Sequence, residues 1–146
     1  PVMAHIGLMP QHMHTVGGFK TQGKDAAARK AILADAKAVA NAGAFAVVLE
    51  GIVESLAEEI THSIAIPTIG IGASPACDGQ VLVVDDMLGL FEHAPRFVKK
   101  FANLRETITN AVTAYARDVR NGSFPTEAQC YGVVKASTGK KKPSRT

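Results

Sequence analysis

Apolar residues along the chain gather into short runs at 1–6, 46–50, 66–71 and 81–85, separated by longer stretches with helical spacing. The last two runs do not alternate apolar with polar positions, as a half-solvated antiparallel strand should. Ile66, Thr68, Ile69 and Ile71, and then Val81, Leu82, Val83 and Val84, read as buried on both faces. That is the pattern of parallel strands covered by helices. Between the runs, Asp25 is a helix N-cap, and Ile32, Leu33, Ala36, Val39 and Ala40 give the following helix one apolar face through about Ala42. Gly43 ends it. A second helix over about 53–62 turns Leu56, Ala57 and Ile60 inward. Pro95 is placed to open another, and a longer one over 104–120 carries Ile108, Val112, Tyr115 and Val119 on one face until Asn121-Gly122 stops it. The glycine-rich stretch 14–24, HTVGGFKTQGK, reads as a loop or flap, and the chain from Val133 as a polar, disordered tail.

Strand alternating with helix predicts an α/β fold built by right-handed parallel crossovers. One link resists this. About nine residues separate the runs at 66–71 and 81–85, fewer than a helical crossover normally takes. Asp78-Gly79 is also a good two-residue turn, so an antiparallel hairpin stays open as the alternative.

At 146 residues the length suits one ordinary domain, and 47% hydrophobic with 20% charged residues suits a globular one. The net charge of +3 is concentrated in Lys140, Lys141, Lys142 and Arg145; the rest of the chain sums to about −1. Aromatic residues are few and not interleaved with basic ones, which argues against nucleic-acid binding. No apolar run approaches the roughly 18 residues of a membrane span. Cys77 and Cys130 have no metal-type spacing; a reduced, cytoplasmic protein is the expectation, with one disulfide left open. The chain starts Pro-Val-Met-Ala-His, without initiator Met or signal-like segment, which suggests processing or a piece of something longer.

Polar residues at the carboxyl ends of parallel strands are where barrel enzymes keep their catalytic groups. Here these are His5, Glu50, the Gly70-Ile71-Gly72 turn and Asp85-Asp86. A lone histidine after an apolar strand is most often a polar group that has simply found a partner. Glu50 is a sharper candidate, because desolvation after Val-Val-Leu makes a carboxylate a stronger base. A salt bridge to a neighbouring loop is its alternative. The glycines at 70 and 72 could present backbone N–H groups to a phosphate, but they lack the Lys-Ser/Thr of a P-loop, and a tight strand exit is the simpler reading. Asp85-Asp86 could hold a divalent cation, yet adjacent strand residues point to opposite faces, so a helix cap or salt bridge is favoured. His12, His14, His62 and His93 show no metal spacing.

In order along residues 2–125, HIGLMPQ, GGFKTQGK, VVLEG, IPTIGIGA and CDGQVLVVDDMLGL resemble the ketopantoate hydroxymethyltransferase family. The resemblance implies a (βα)8 TIM barrel of the phosphoenolpyruvate/pyruvate superfamily. This chain would supply about the last four βα units as residues 1–132, followed by a basic tail at 133–146. It implies transfer of a hydroxymethyl group from 5,10-methylenetetrahydrofolate to 3-methyl-2-oxobutanoate, giving 2-dehydropantoate for pantothenate synthesis. A magnesium ion would polarise the ketoacid carbonyl, with its ligands on the missing N-terminal half-barrel and none on this chain. By position, Glu50 matches the family's catalytic carboxylate, and His5 the histidine near the substrate. A homo-oligomer, decameric by resemblance, is also implied. Ala4, Gly51 and Asp85 stand where Gly, Cys and His are common in the family. Two competing readings are a catalytically silent half-barrel, whether fragment, pseudoenzyme or subunit, and a related lyase acting on another ketoacid. The GGFKTQGK segment argues against the lyase.

Overall fold

A computed structural model describes residues 1–9 and 20–132, which fall into two compact units, Pro1–Asn103 and Leu104 onward. The first holds four strands, β1 (Met3–Gly7), β2 (Ala46–Glu50), β3 (Thr68–Ile71) and β4 (Gly79–Gln80), and three helices, α1 (Ala26–Asn41), α2 (Glu54–Ser63) and the single-turn α3 (Val84–Met87). The second holds α4 (Leu104–Arg120) and a 3₁₀ turn at Glu127–Gln129. The strands lie in sequence order, β1-β2-β3-β4, and every neighbouring pair is parallel.

Local chemistry sets the helix ends. Asp25 is extended, with φ −110° and ψ 165°, and its carboxylate accepts from the Ala28 N–H at 2.8 Å. Gly43 takes φ 87° just past α1, a conformation that suits a residue without Cβ. Between α1 and α2 the Arg29 guanidinium reaches Ser55 and Glu59.

Strand alternation divides the sheet into two unlike faces. Ile6, Val47 and Leu49 point toward the helices, where they pack with Ile32 and Ala36 of α1 and Leu56, Ala57 and Ile60 of α2. Val47, Leu49, Leu56 and Ile60 are wholly buried there. The opposite face carries Met3, His5, Val48, Glu50, Ile69 and Ile71, all half-buried or exposed.

The link between β3 and β4 settles the choice between hairpin and crossover. Gly79 lies beside Ile69 in parallel register, so no hairpin forms. Residues 72–78 return along the outside of β3 without a helix. Ser74 and Cys77 are buried in the return, and the Gln80 amide donates to the Ser74 carbonyl at 2.8 Å. Gly70 leaves room for this, since a Cβ there would lie 3.0 Å from the Cys77 sulfur. Asp78 makes no turn. Its carboxylate accepts from the Thr68 N–H at 2.8 Å and from the Thr68 hydroxyl at 3.0 Å, clasping the loop to the start of β3.

Two sequence expectations are corrected here. The run at 81–85 is not a buried strand: pairing is confined to Gly79–Gln80 and a single bond from the Val81 N–H to the Gly70 carbonyl. Val81, Val83 and Val84 are 45, 51 and 54% exposed, and Val84 already begins α3. The Asp78 clasp brings Gly79 beside Ile69, so the strand starts two residues early, and its outer edge has no further neighbour among the described residues. Pro95 opens only a turn, closed by the Val98 N–H on the Pro95 carbonyl, not a helix. The stripe Ile108, Val112, Tyr115 and Val119 does share one face of α4, but it is exposed. Both cysteines are free thiols. Most of the flap at 14–24, with His12 and His14, and the tail from 133 lie outside the described residues.

The Thr68 N–H, and after it the Thr68 hydroxyl, hold the Asp78 carboxyl below the usual carboxylate range. A depressed carboxylate stabilises the fold above its unfolded value, about 3.9, and that contribution is lost as pH falls through the lower folded value. Asp78→Asn should therefore lower the urea midpoint at about pH 7 more than at about pH 2.5. A gap between wild type and variant that stays constant across that range would show that the clasp is not ionic.

Candidate functional site

Glu50 is the last residue of β2, and it shares with Val48 the sheet face opposite the helices α1 and α2. His5 stands opposite Val48 on β1, with Gly7 opposite Glu50. Parallel alternation therefore brings His5 and Glu50 to one face at the carboxyl end of adjacent strands. The His5 Nε2 lies 3.0 Å from the Glu50 Oε2, with the side chains 40% and 18% exposed. The same Nε2 lies 3.2 Å from the Leu8 carbonyl. A carbonyl oxygen only accepts, so Nε2 carries a hydrogen shared between Leu8 and Glu50. The carboxylate is thus held by an imidazole that is itself anchored to backbone, while it keeps contact with solvent.

The backbone around the pair explains why glycines flank it. Gly7 takes φ 95°, which turns the chain over the end of β2 and lets the Leu8 N–H donate to the Glu50 carbonyl at 2.7 Å. Gly51 takes φ 58°, and a Cβ there would sit 3.1 Å from the Leu8 Cβ. Beyond it Gln22 bridges Ile52: the Gln22 N–H donates to the Gly51 carbonyl at 2.7 Å and the Val53 N–H to the Gln22 carbonyl at 3.0 Å. The residue pattern does not mark the Leu8 carbonyl as part of the site. Gly7, between a strand and an apolar residue, is the only hint of the turn that delivers it.

The other candidates are not brought to the pair. Gly70 is closed against Cys77 and Gln80, and Gly72, at φ 59°, backs onto the Phe97 ring, where a Cβ would lie 2.7 Å from the ring edge. Both glycines thus serve close packing. Asp85 and Asp86 sit in the first turn of α3 rather than at a strand end. His62 lies in the last turn of α2. Among the described residues no group of three or more His, Cys, Asp or Glu side chains could hold a metal ion, and no helix is long and apolar enough to cross a membrane. A pair of this kind can take up a proton at the Glu50 oxygens and position a polar substrate atom near His5.

The family model for ketopantoate hydroxymethyltransferase matches residues 1–127. Proteins named 3-methyl-2-oxobutanoate hydroxymethyltransferase are similar over most of the chain. The one from Parvibaculum lavamentivorans is 60% identical over 93% of this chain and 50% of its own length. That from Caulobacter vibrioides is 57% identical over 92% of this chain and 49% of its own. That from Anaplasma marginale is 58% identical over 90% of this chain and 47% of its own. The chain spans about half the length of the curated relatives it matches. With a family match over most of its residues and this level of identity, the chain belongs to the ketopantoate hydroxymethyltransferase family.

Proposed function

We propose that the complete protein transfers a hydroxymethyl group from 5,10-methylenetetrahydrofolate to 3-methyl-2-oxobutanoate, giving 2-dehydropantoate for pantothenate synthesis. This chain would provide about the last four βα units of a (βα)8 barrel, and the sheet face opposite α1 and α2 would become the barrel interior once an N-terminal half is in place. The observation that carries the reading is the His5–Glu50 pair, 3.0 Å apart at the carboxyl ends of neighbouring parallel strands. Glu50 acts as the base that takes the C3 proton of the ketoacid. The carbanion then forms the new C–C bond to the one-carbon unit, water supplies the hydroxyl as the two C–N bonds of the methylene bridge break, and tetrahydrofolate leaves with the C3 proton and one proton of the water on its nitrogens. His5 holds Glu50 in place and lies beside the substrate.

Magnesium, which would polarise the ketoacid carbonyl, does not fit the described residues of this chain. They form no group of three potential ligands, and the Glu50 Oε2 already faces His5. Its ligands are assigned to the N-terminal half, and what this chain contributes is proton transfer and positioning. The chain alone is inactive on this reading, because it spans about half the length of the relatives it matches and the N-terminal half would hold the metal ligands. The exposed stripe Ile108, Val112, Tyr115 and Val119 on α4 supports burial against a partner surface. A homo-oligomer, decameric, and a cytoplasmic location are proposed from family likeness alone.

Formation of 2-dehydropantoate from the two substrates by the complete protein, set against this chain alone, tests the proposal. Absence of product from the complete protein would sink it; turnover by the isolated chain would sink the division into halves.

A further inference from the structure

Glu50 ends β2, so its backbone is held by the sheet from the preceding residues and by the turn at 51–53 from the following ones. That turn is gripped in its own right. The Gln22 N–H donates to the Gly51 carbonyl at 2.7 Å, and the Gln22 carbonyl accepts from the Val53 N–H at 3.0 Å. Gln22 thus pairs with Ile52 as an isolated parallel bridge beyond the end of the strand. Both bonds are made by backbone, while the Gln22 side-chain amide donates to the Lys20 carbonyl at 2.6 Å.

Ile52 relays this grip to the His5–Glu50 pair. It is 1% exposed, and its Cγ1 fills the space that a Cβ on Gly7 would need. Gly7 opens the turn that brings the Leu8 carbonyl to the His5 Nε2, and the same Nε2 holds Glu50. The residue that permits the grip is Gly23. It is buried with φ 79°, and a Cβ there would lie 2.5 Å from the Leu56 Cδ2, so only a glycine lets residues 22–23 lie against α2. We propose that Gln22 and Gly23 are positioning residues for the base. Their backbone fixes residues 51–53 and, through Ile52 and Gly7, the Leu8 carbonyl, His5 and the Glu50 carboxylate. This rests on the function proposed above, in which Glu50 takes the C3 proton. Proton abstraction needs hydrogen-bond reach, and a misplacement of about 1 Å can cost about 10²-fold in rate. The role demands a glycine at 23 and an N–H at 53, not a glutamine side chain at 22.

Val53→Pro is the sharpest probe. Val53 has φ −55° and ψ 137°, which proline adopts, and the extended bridge at Ile52 suits the residue before a proline. The Val53 carbonyl, which accepts from the Leu56 and Ala57 N–H groups, is kept. The substitution therefore removes the bond to Gln22 and leaves α2 its first turn. Val53→Ala keeps the N–H and measures what the side chain contributes. In the complete protein, with magnesium present and the folate omitted, C3 proton exchange of 3-methyl-2-oxobutanoate is followed against ketoacid concentration. Rates are expressed per folded molecule, from the urea curve of each variant. Val53→Pro should lower the maximal rate roughly tenfold below Val53→Ala, with the half-saturating ketoacid concentration changed less than about twofold. Gly23→Ala should lower the maximal rate as well, which keeps the test decisive if the proline variant does not fold. Equal rates in Val53→Pro and Val53→Ala, or a wild-type rate in Gly23→Ala, would overturn the proposal. So would a higher half-saturating concentration with the maximal rate kept, since that is a loss of binding. Exchange unaffected by Glu50→Gln would instead remove the base itself, and the positioning role with it.

Discussion

Glu50→Gln is expected to slow exchange of the C3 proton of 3-methyl-2-oxobutanoate with solvent by a factor of about 10² to 10⁴ in the complete protein. Glutamine keeps the length of the side chain and an oxygen that accepts from the His5 Nε2–H, so the 3.0 Å contact can persist while the base is lost. Ketoacid affinity should change much less, because the proton is removed only on the way to the transition state. The readout is deuterium incorporation at C3 with magnesium present and the folate omitted, which isolates proton abstraction from the later C–C bond. Near-wild-type exchange in the variant would take Glu50 out of the chemistry and make His5 the next residue to test.

The largest stability effect is expected at Gly7. Alanine there would hold φ near 95°, place its Cβ 2.6 Å from the Ile52 Cγ1, and drive it against the Glu50 carbonyl. Backbone strain of about 1–2 kcal/mol adds to an overpacking cost of about 1–3 kcal/mol, so Gly7→Ala should destabilise by about 3 kcal/mol. That is a large share of the roughly 5–15 kcal/mol typical of a folded domain. Gly43→Ala is the internal comparison. Its φ is 87°, but a Cβ would meet nothing within 4 Å, so only the strain, about 1 kcal/mol, should appear. Urea unfolding of the two variants measures the difference. Equal losses would mean that β1 is not pressed against β2 as described, and the support beneath Glu50 would have to be reconsidered.

Features that depend on a few neighbouring residues are legible in the sequence. The Asp25 cap, the apolar face of α1, the stop at Gly43 and the short buried run ending in Glu50 are all governed by local geometry, and each stands where the pattern puts it. Glu50 and His5 stand out as candidates for the same reason, as polar residues on or just after apolar strands. Where the outcome depends on distant partners, the pattern misleads. Val81, Val83 and Val84 look like a core strand by composition, yet the pairing whose register Asp78 sets on Thr68 ends at Val81, and Val84 already begins α3. The same Asp78-Gly79 pair that suggests a hairpin instead clasps a parallel crossover, because an aspartate can satisfy either a turn or a strand terminus. Pro95 suits a first helical turn, but only a turn closed by the Val98 N–H opens there.

The order of amino acids alone carries the element types and their succession as far as β3, the family, and the two residues on which the chemistry is proposed to rest. It takes the folded chain to bring His5 against Glu50 and to make one nitrogen of the imidazole serve both Glu50 and the Leu8 carbonyl. The division has a physical cause. Helical and strand preferences are decided within a turn or two of backbone, where each residue feels its immediate neighbours. Register and side-chain meeting points are decided by hydrogen bonds and packing between segments tens of residues apart, and a one-residue slip of β1 against β2 would turn His5 to the helix side of the sheet, away from Glu50.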